Sequence, residues 1–277
     1  MNEEDLKILD EIDAKLEGLV FRFVENFNLK VSKEIQEAIL DFIDTLDSDL
    51  SITSRLSRAK IINKFRDELS KTIQNGAIAD EFVTLLAGYK EIVTIANEYF
   101  SALSSAYKKD LYREIYKESI LYLKESLTGA GISQIVANNV VNVLYEKNMQ
   151  GKKKKELRSF LKEYFSDTPK KFRYVEQIAT DSLYQMTSTY QLKIAEDLKI
   201  EYYYYAGTKM KTSRSFCVSR YGKVFTKKEI QSWPELIWSG KIPGTDKNNI
   251  FVYRGGYNCR HTIRPISKNL YTKLNKI

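Results

Sequence analysis

Glycine and proline are unevenly distributed along this chain of 277 residues. Six of its 12 glycines and three of its four prolines (Pro234, Pro243, Pro265) follow residue 206. Glycine admits backbone conformations that other residues avoid, and proline removes an amide donor, so both interrupt long regular elements. A chain that nearly avoids them for 206 residues can run in long helices. One that then concentrates them must turn often and pack compactly. Their overall scarcity also argues against a loop-rich all-β fold.

Apolar spacing carries the helical reading. Leu6, Leu9, Ile12, Leu16, Val20 and Phe23 recur at threes and fours, as do Val31, Ile35, Ile39, Phe42 and Ile43. The same period returns in Ile61, Phe65, Leu69 and Ile73. From about Asp80 it continues in Phe82, Leu85, Tyr89, Ile92, Ile95 and Tyr99. This is the pattern of helices that bury one face. A fifth helix carries Leu111, Ile115, Ile120 and Leu123 and is broken by Gly129-Ala130-Gly131. Ser133 starts a sixth, with Ile135, Val136, Val140, Val143 and Leu144, which Gly151 stops. The run Lys152–Lys155 opens another, with Leu157, Leu161 and Phe165; it reads as a solvated face or a DNA contact. Asp167-Thr168-Pro169 is a turn signal before a long helix over 171–198. No apolar run reaches the 18 or so residues of a membrane span. The acidic start resembles neither a signal nor a transit peptide. We therefore expect a soluble, intracellular chain.

After residue 200 the pattern changes. Tyr202–Tyr205 is aromatic and strand-like, and Val224-Phe225 is a second short strand. Thr226 and Glu229 have capping-box spacing, so a short helix carrying Ile230 and Trp233 should begin there. Ile250–Tyr253 is a third strand candidate, and Gly255-Gly256 turns the chain into Tyr257–Pro265. The expected fold class is a mainly α N-terminal region, a helical bundle or long hairpins, followed by a small α+β C-terminal domain. The expected divisions are 1–125, 126–199 and 200–277.

Both cysteines and the single histidine lie in the last stretch. If 259–264 is extended, Cys259, His261 and Ile263 share one face, and Arg260, Thr262 and Arg264 the other. Alternate positions on one face can converge on a metal, with Cys217 as third ligand. Two thiolates and an imidazole suit zinc. The competing reading is two packed, reduced cysteines and a hydrogen-bonded histidine. A nucleophilic Cys–His pair is the catalytic alternative. The chain has no GxSxG, P-loop, GxGxxG after a strand, or HExxH.

Charge is polarised along the chain. Residues 1–50 hold 5 Lys/Arg and 14 Asp/Glu, net −9, whereas 151–277 hold 26 and 11, net +15. No acid follows Asp246. A basic half suits a polyanion partner, or simply keeps the chain soluble.

The stretch from about 170 to 267 resembles the minor head proteins of tailed phages, the phage Mu F-like, head morphogenesis family. Five pieces carry the resemblance in order: Ile178-Ala179-Thr180-Asp181 with Gln185; Tyr202–Tyr205 followed by Ala206-Gly207-Thr208; Ser213–Cys217; Gly222–Thr226 with Glu229-Ile230; and Arg254–His261 followed by Pro265. Leu127–Ser133 and the Gly151 break also look like members of this family. Lys209, Met210 and Lys211 stand where members often carry an acid, and Asn258-Cys259-Arg260-His261 stands where many close with two cysteines. The resemblance implies a non-enzymatic minor capsid component, made in the host cytoplasm and residing inside the virion near the portal. Its implied partners are the portal protein, with oligomerisation through the portal ring, and double-stranded DNA held without sequence preference. Candidate phosphate contacts are Arg214, Arg220, Lys223, Arg254, Arg260 and Arg264. The alternative is a nuclease- or ADP-ribosyltransferase-type toxin using the Cys/His cluster.

Overall fold

The computed structural model describes residues 3–45, 55–128, 130–149, 155–156, 158–160, 163 and 173–276. Helix α1 (Glu3–Asn26) passes through a π-helical turn (Phe27–Val31) into α2 (Ser32–Asp44). Then come α3 (Arg55–Asn75), α4 (Ala77–Leu103), a 3-10 turn (Lys109–Tyr112), α5 (Arg113–Thr128), α6 (Ala130–Met149) and α7 (Arg173–Asp197). The remainder is mixed: β1 (Tyr202–Gly207), α8 (Ser215–Val218), β2 (Val224–Thr226), α9 (Lys227–Ser232), a 3-10 turn (Trp233–Glu235), α10 (Ile250–Tyr253), β3 (His261–Ile266) and α11 (Lys268–Leu274). The chain is thus mostly helical, with helices first and a small three-stranded antiparallel sheet with short helices last. Among the described residues no helix is long and apolar enough to cross a membrane.

Packing divides the chain into two compact units that are not consecutive stretches. Met1–Phe21, Leu86–Leu123 and Ala179–Ile277 form one, and Arg22–Leu85 with Lys124–Ile178 the other. The boundaries fall inside α1, α4, α5 and α7. Residues 200–277 therefore share a unit with portions of earlier helices.

In the second unit the stripes read from the sequence become core. Phe42 of α2 meets Phe65 of α3 with ring centroids 4.8 Å apart, and Ile35, Ile39 and Leu69 are buried with them. The buried Glu81 carboxylate accepts from Asn26 Nδ2 at 2.6 Å and pairs with Lys30 Nζ at 2.7 Å. Lys30 comes from the π-helical turn, a local rewinding of the kind that re-aims side chains.

In the first unit the sheet order is β2-β1-β3, with Tyr205 opposite Ile263 and Tyr204 opposite Arg264. Strand alternation gives β1 and β3 two different faces. Tyr203, Tyr205 and Ile263 join Phe216, Trp233, Ile250 and Phe251 in an apolar cluster. On the opposite face Arg264 pairs with Asp13 of α1, and its Nη1 donates to Gln191 of α7 at 2.7 Å. Thr262 Oγ1 reaches the same Asp13 carboxylate at 3.0 Å. The capping box at α9 forms as expected: Thr226 Oγ1 accepts from Glu229 N, and Glu229 accepts from Thr226 N.

Two local expectations change. Ile250–Tyr253 is a helical turn and not a strand. Asp246 Oδ1 accepts from the amides of Asn248 (2.7 Å) and Asn249 (3.0 Å), and Asp246 O accepts from Ile250 N (3.0 Å). That turn, closed by the Asp246 side chain just before the segment, leads the chain into a helical turn against the apolar β-propensity of the segment. Helix α6 begins at Ala130, three residues before the expected Ser133. The Gly129 break, the Gly151 stop, Lys152–Lys154, Leu157, Leu161, Phe165 and the 167–169 turn lie outside the described residues.

Removing the Asp13 carboxylate would leave a buried guanidinium without its counter-charge. Asp13→Ala is expected to lower unfolding free energy by about 3–5 kcal/mol, read by urea denaturation. A loss below about 1 kcal/mol would show that the pair is dispensable.

Candidate metal centre

Three short-range devices build this site. Arg214 enters α8 with extended backbone, and the helical turn that follows buries Cys217. Gly255-Gly256 then reverses the chain. A Cβ on Gly255 would collide with Cys217 Sγ and lie 2.9 Å from Cys259 Sγ, so only a residue without one fits here. Gly256 has a φ of +100°, and a Cβ there would strike Gly240 O. Cys259 follows, two residues before β3 begins at His261, and the two side chains meet there.

The ligand atoms converge. Cys217 Sγ lies 3.9 Å from Cys259 Sγ, and Cys259 Sγ lies 3.8 Å from His261 Nδ1. All three atoms lie within 4.8 Å of one another, and all three residues are buried. Such a group can hold a metal ion. His261 Nε2 is buried and has no hydrogen-bond partner among the described residues. The His261 ring stacks on Tyr205 with centroids 5.5 Å apart. A cavity of about 40 Å³ adjoins the cluster and is also lined by Thr208, Ser213, Arg214 and Arg260.

The two thiols are electrostatically unequal. Cys217 is pushed up, first because its S–H is committed to Cys259 and then by burial. Cys259 is held well below the usual thiol range, chiefly by that S–H, with His261 and Arg254 adding to it against the cost of burial. The surroundings therefore favour the thiolate form at Cys259 over Cys217. Asp181 on α7 accepts from Asn258 N at 2.7 Å, one residue before Cys259. Burial raises its carboxyl to about 6, against the opposing pull of Arg254.

The six basic candidates separate. Arg254 and Arg264 are both 0% exposed, so neither reaches a phosphate, and their expected assignment is corrected. Arg264 is taken by Asp13 and Gln191. Arg254 donates to Ser188 Oγ (3.2 Å) and Cys259 O (3.4 Å) and lies over the Tyr184 ring. It also adopts φ +51°, a conformation rare outside glycine. Arg260 pairs with Glu17 at 3.3 Å. Arg220 lies 3.8 Å above the Phe216 ring and donates to Phe216 O. Arg214 donates to Tyr257 O at 2.7 Å. Lys223 is exposed.

Sequence reasoning missed Asp13 and Glu17. The first had a signal: Asp13 falls on the buried stripe of Leu9, Ile12 and Leu16, where a carboxylate requires a partner. Asp181 was part of the first motif, but its contact was not foreseeable, because its partner is a backbone amide.

Comparison of the chain with protein-family models, with curated proteins and with solved structures returned no match.

Gly255→Ala is expected to cost about 1–3 kcal/mol by overpacking against the two sulfurs, seen as a lowered thermal midpoint. An unchanged midpoint would place Gly255 away from the cluster. Because the folded state holds the Asp181 proton more tightly than the unfolded chain, the stability it contributes is present below about pH 4 and lost as pH rises through about 6. Asp181→Asn should flatten that part of the profile; thermal midpoints at intervals of pH read it directly.

Proposed function

We propose that the chain is a minor head protein of a tailed phage or prophage, residing inside the capsid near the portal and assisting head assembly. The observation that carries this reading is convergence. The five separated pieces of the resemblance meet in one core: Asp181 holds Asn258, β1 lies between β2 and β3, and Cys217 meets Cys259 and His261. A domain built from these ordered motifs requires such mutual contact.

The role fits a structural part. The cavity beside the cluster, about 40 Å³, is the size of an ion or one or two waters. In this reading the metal is zinc, matched to two sulfurs and an imidazole.

The DNA contact is phosphate-based and falls on exposed lysines, among them Lys209, Lys211 and Lys223. The acidic first 50 residues, net −9, are the complementary end for a protein partner, the portal.

Particles purified from the host that encodes the chain should contain its peptides in DNA-filled heads by mass spectrometry. Heads that contain portal protein but lack this chain would overturn the assignment. For DNA, filter binding should fall by at least about tenfold between about 50 and 200 mM salt. The triple Lys209→Glu, Lys211→Glu, Lys223→Glu variant should weaken binding at low salt. Affinity indifferent to both changes would remove the DNA contact and leave a portal adaptor.

A further inference from the structure

A tetrahedral zinc ion has Zn–S distances of about 2.3 Å and Zn–N distances of about 2.0–2.1 Å. Those lengths set edges of about 3.8 Å between two sulfurs and about 3.6 Å between a sulfur and a nitrogen. The observed separations are 3.9 Å for Cys217 Sγ to Cys259 Sγ and 3.8 Å for Cys259 Sγ to His261 Nδ1. Both fall within a few tenths of an ångström of a tetrahedral edge. Two edges thus match a tetrahedron, and the third, from Cys217 to His261, is no longer than 4.8 Å; a bound ion would draw these atoms into one face and leave a fourth vertex to fill.

No further cysteine or histidine exists in the chain, and the one thioether that lines the cavity, Met210, is a weak ligand for zinc beside thiolate and imidazole. The two nearby acids are engaged. Glu17 accepts from Thr208 Oγ1 at 2.6 Å and from Arg260 Nη1 at 3.3 Å. Asp181 accepts from Asn258 N. What adjoins the three ligands is the cavity of about 40 Å³, walled by Thr208, Ser213, Arg214 and Arg260. One water needs roughly 10–15 Å³ and two to four polar partners, so the space and its lining suffice. Arg214 and Arg260 are among its lining residues, with their guanidinium groups on Tyr257 O and Glu17, so the cavity has basic surroundings that suit an oxygen lone pair or a small anion.

We infer that Cys217, Cys259 and His261 form an open three-ligand zinc site whose fourth ligand is a water or small anion held in the cavity lined by Arg214 and Arg260. This rests on the zinc reading given above, and is independent of the head-protein assignment. Closed structural zinc sites use four protein ligands, whereas a three-ligand site keeps an exchangeable position. The ion balances two thiolates that would otherwise be buried together. It also joins α8 to the start of β3, across 42 residues of chain.

The test uses the full chain purified under reducing conditions and washed with chelator. Elemental analysis after zinc addition should return one zinc per chain. Replacing zinc with Co²⁺ should give a thiolate-to-metal charge-transfer band and tetrahedral d–d bands. Titrating azide should then shift the d–d bands saturably, the mark of an exchangeable fourth ligand. Bands that azide leaves unmoved would overturn the open vertex while leaving zinc in place. Absence of metal would overturn both the zinc reading and the open site, and leave the head-protein assignment to the particle experiment. Cys217→Ser should lose stoichiometric zinc at least tenfold more readily to a competing chelator while keeping its helical circular dichroism; undiminished affinity would remove Cys217 from the ligand set. If that variant does not fold, the azide titration of the wild-type protein decides alone.

Discussion

A buried carboxylate and a buried guanidinium, 251 residues apart in sequence, meet where Asp13 of α1 pairs with Arg264 of β3. Taking either charge out of water alone would be prohibitive, so each requires the other. Thr262 of β3 and Gln191 of α7 add a hydrogen bond each to the pair, while Arg264 Nε has no partner among the described residues. The mixed C-terminal stretch is therefore tied by polar contacts to the first helix and the last long one. This is why packing places residues 200–277 in the same compact unit as Met1–Phe21 and Ala179–Asp197.

Strand β3 makes this pair and the sulfur cluster mutually dependent. All six of its residues are buried, yet its two faces carry different chemistry. His261 and Ile263 face the tyrosines, Trp233 and the cysteines, while Thr262 and Arg264 face the acids of α1. A one-residue slip would exchange these sets, putting the guanidinium among aromatic rings and the imidazole against Asp13. The β1·β3 register is thus specified from both sides, and the ion pair indirectly sets where His261 stands relative to Cys259.

Positive charge in this region has two uses that composition cannot separate. Arg254 and Arg264 support the fold from inside, and Arg220 lies flat on aromatic rings. Only part of the basic excess is displayed to solvent, chiefly by lysines. That division follows physical differences between the side chains. A guanidinium is planar, offers five donors and stacks on rings, so it can be buried with most of its donors and its faces in contact, whereas an ammonium is strongly hydrated and stays outside.

Much of the local structure was legible in the chain itself. The three-to-four spacing of apolar residues marked the helices, Tyr202–Tyr205 and Val224-Phe225 marked two strands, and Thr226 with Glu229 marked a cap, because each depends on neighbours within a few residues. The expected pairing of Cys259 with His261 also forms, although the strand starts only at His261. The Ile250–Tyr253 segment was misread because the Asp246 side chain, four residues upstream, closes a turn that leads the chain into a helical turn. Only the tertiary structure could decide which charges are internal. Whether an arginine meets DNA or a carboxylate depends on a residue 251 positions away, and whether Cys217 reaches Cys259 depends on a glycine pair turning without side chains. Long-range contacts of this kind leave no periodic trace in sequence, since a single pairing has no repeat to detect.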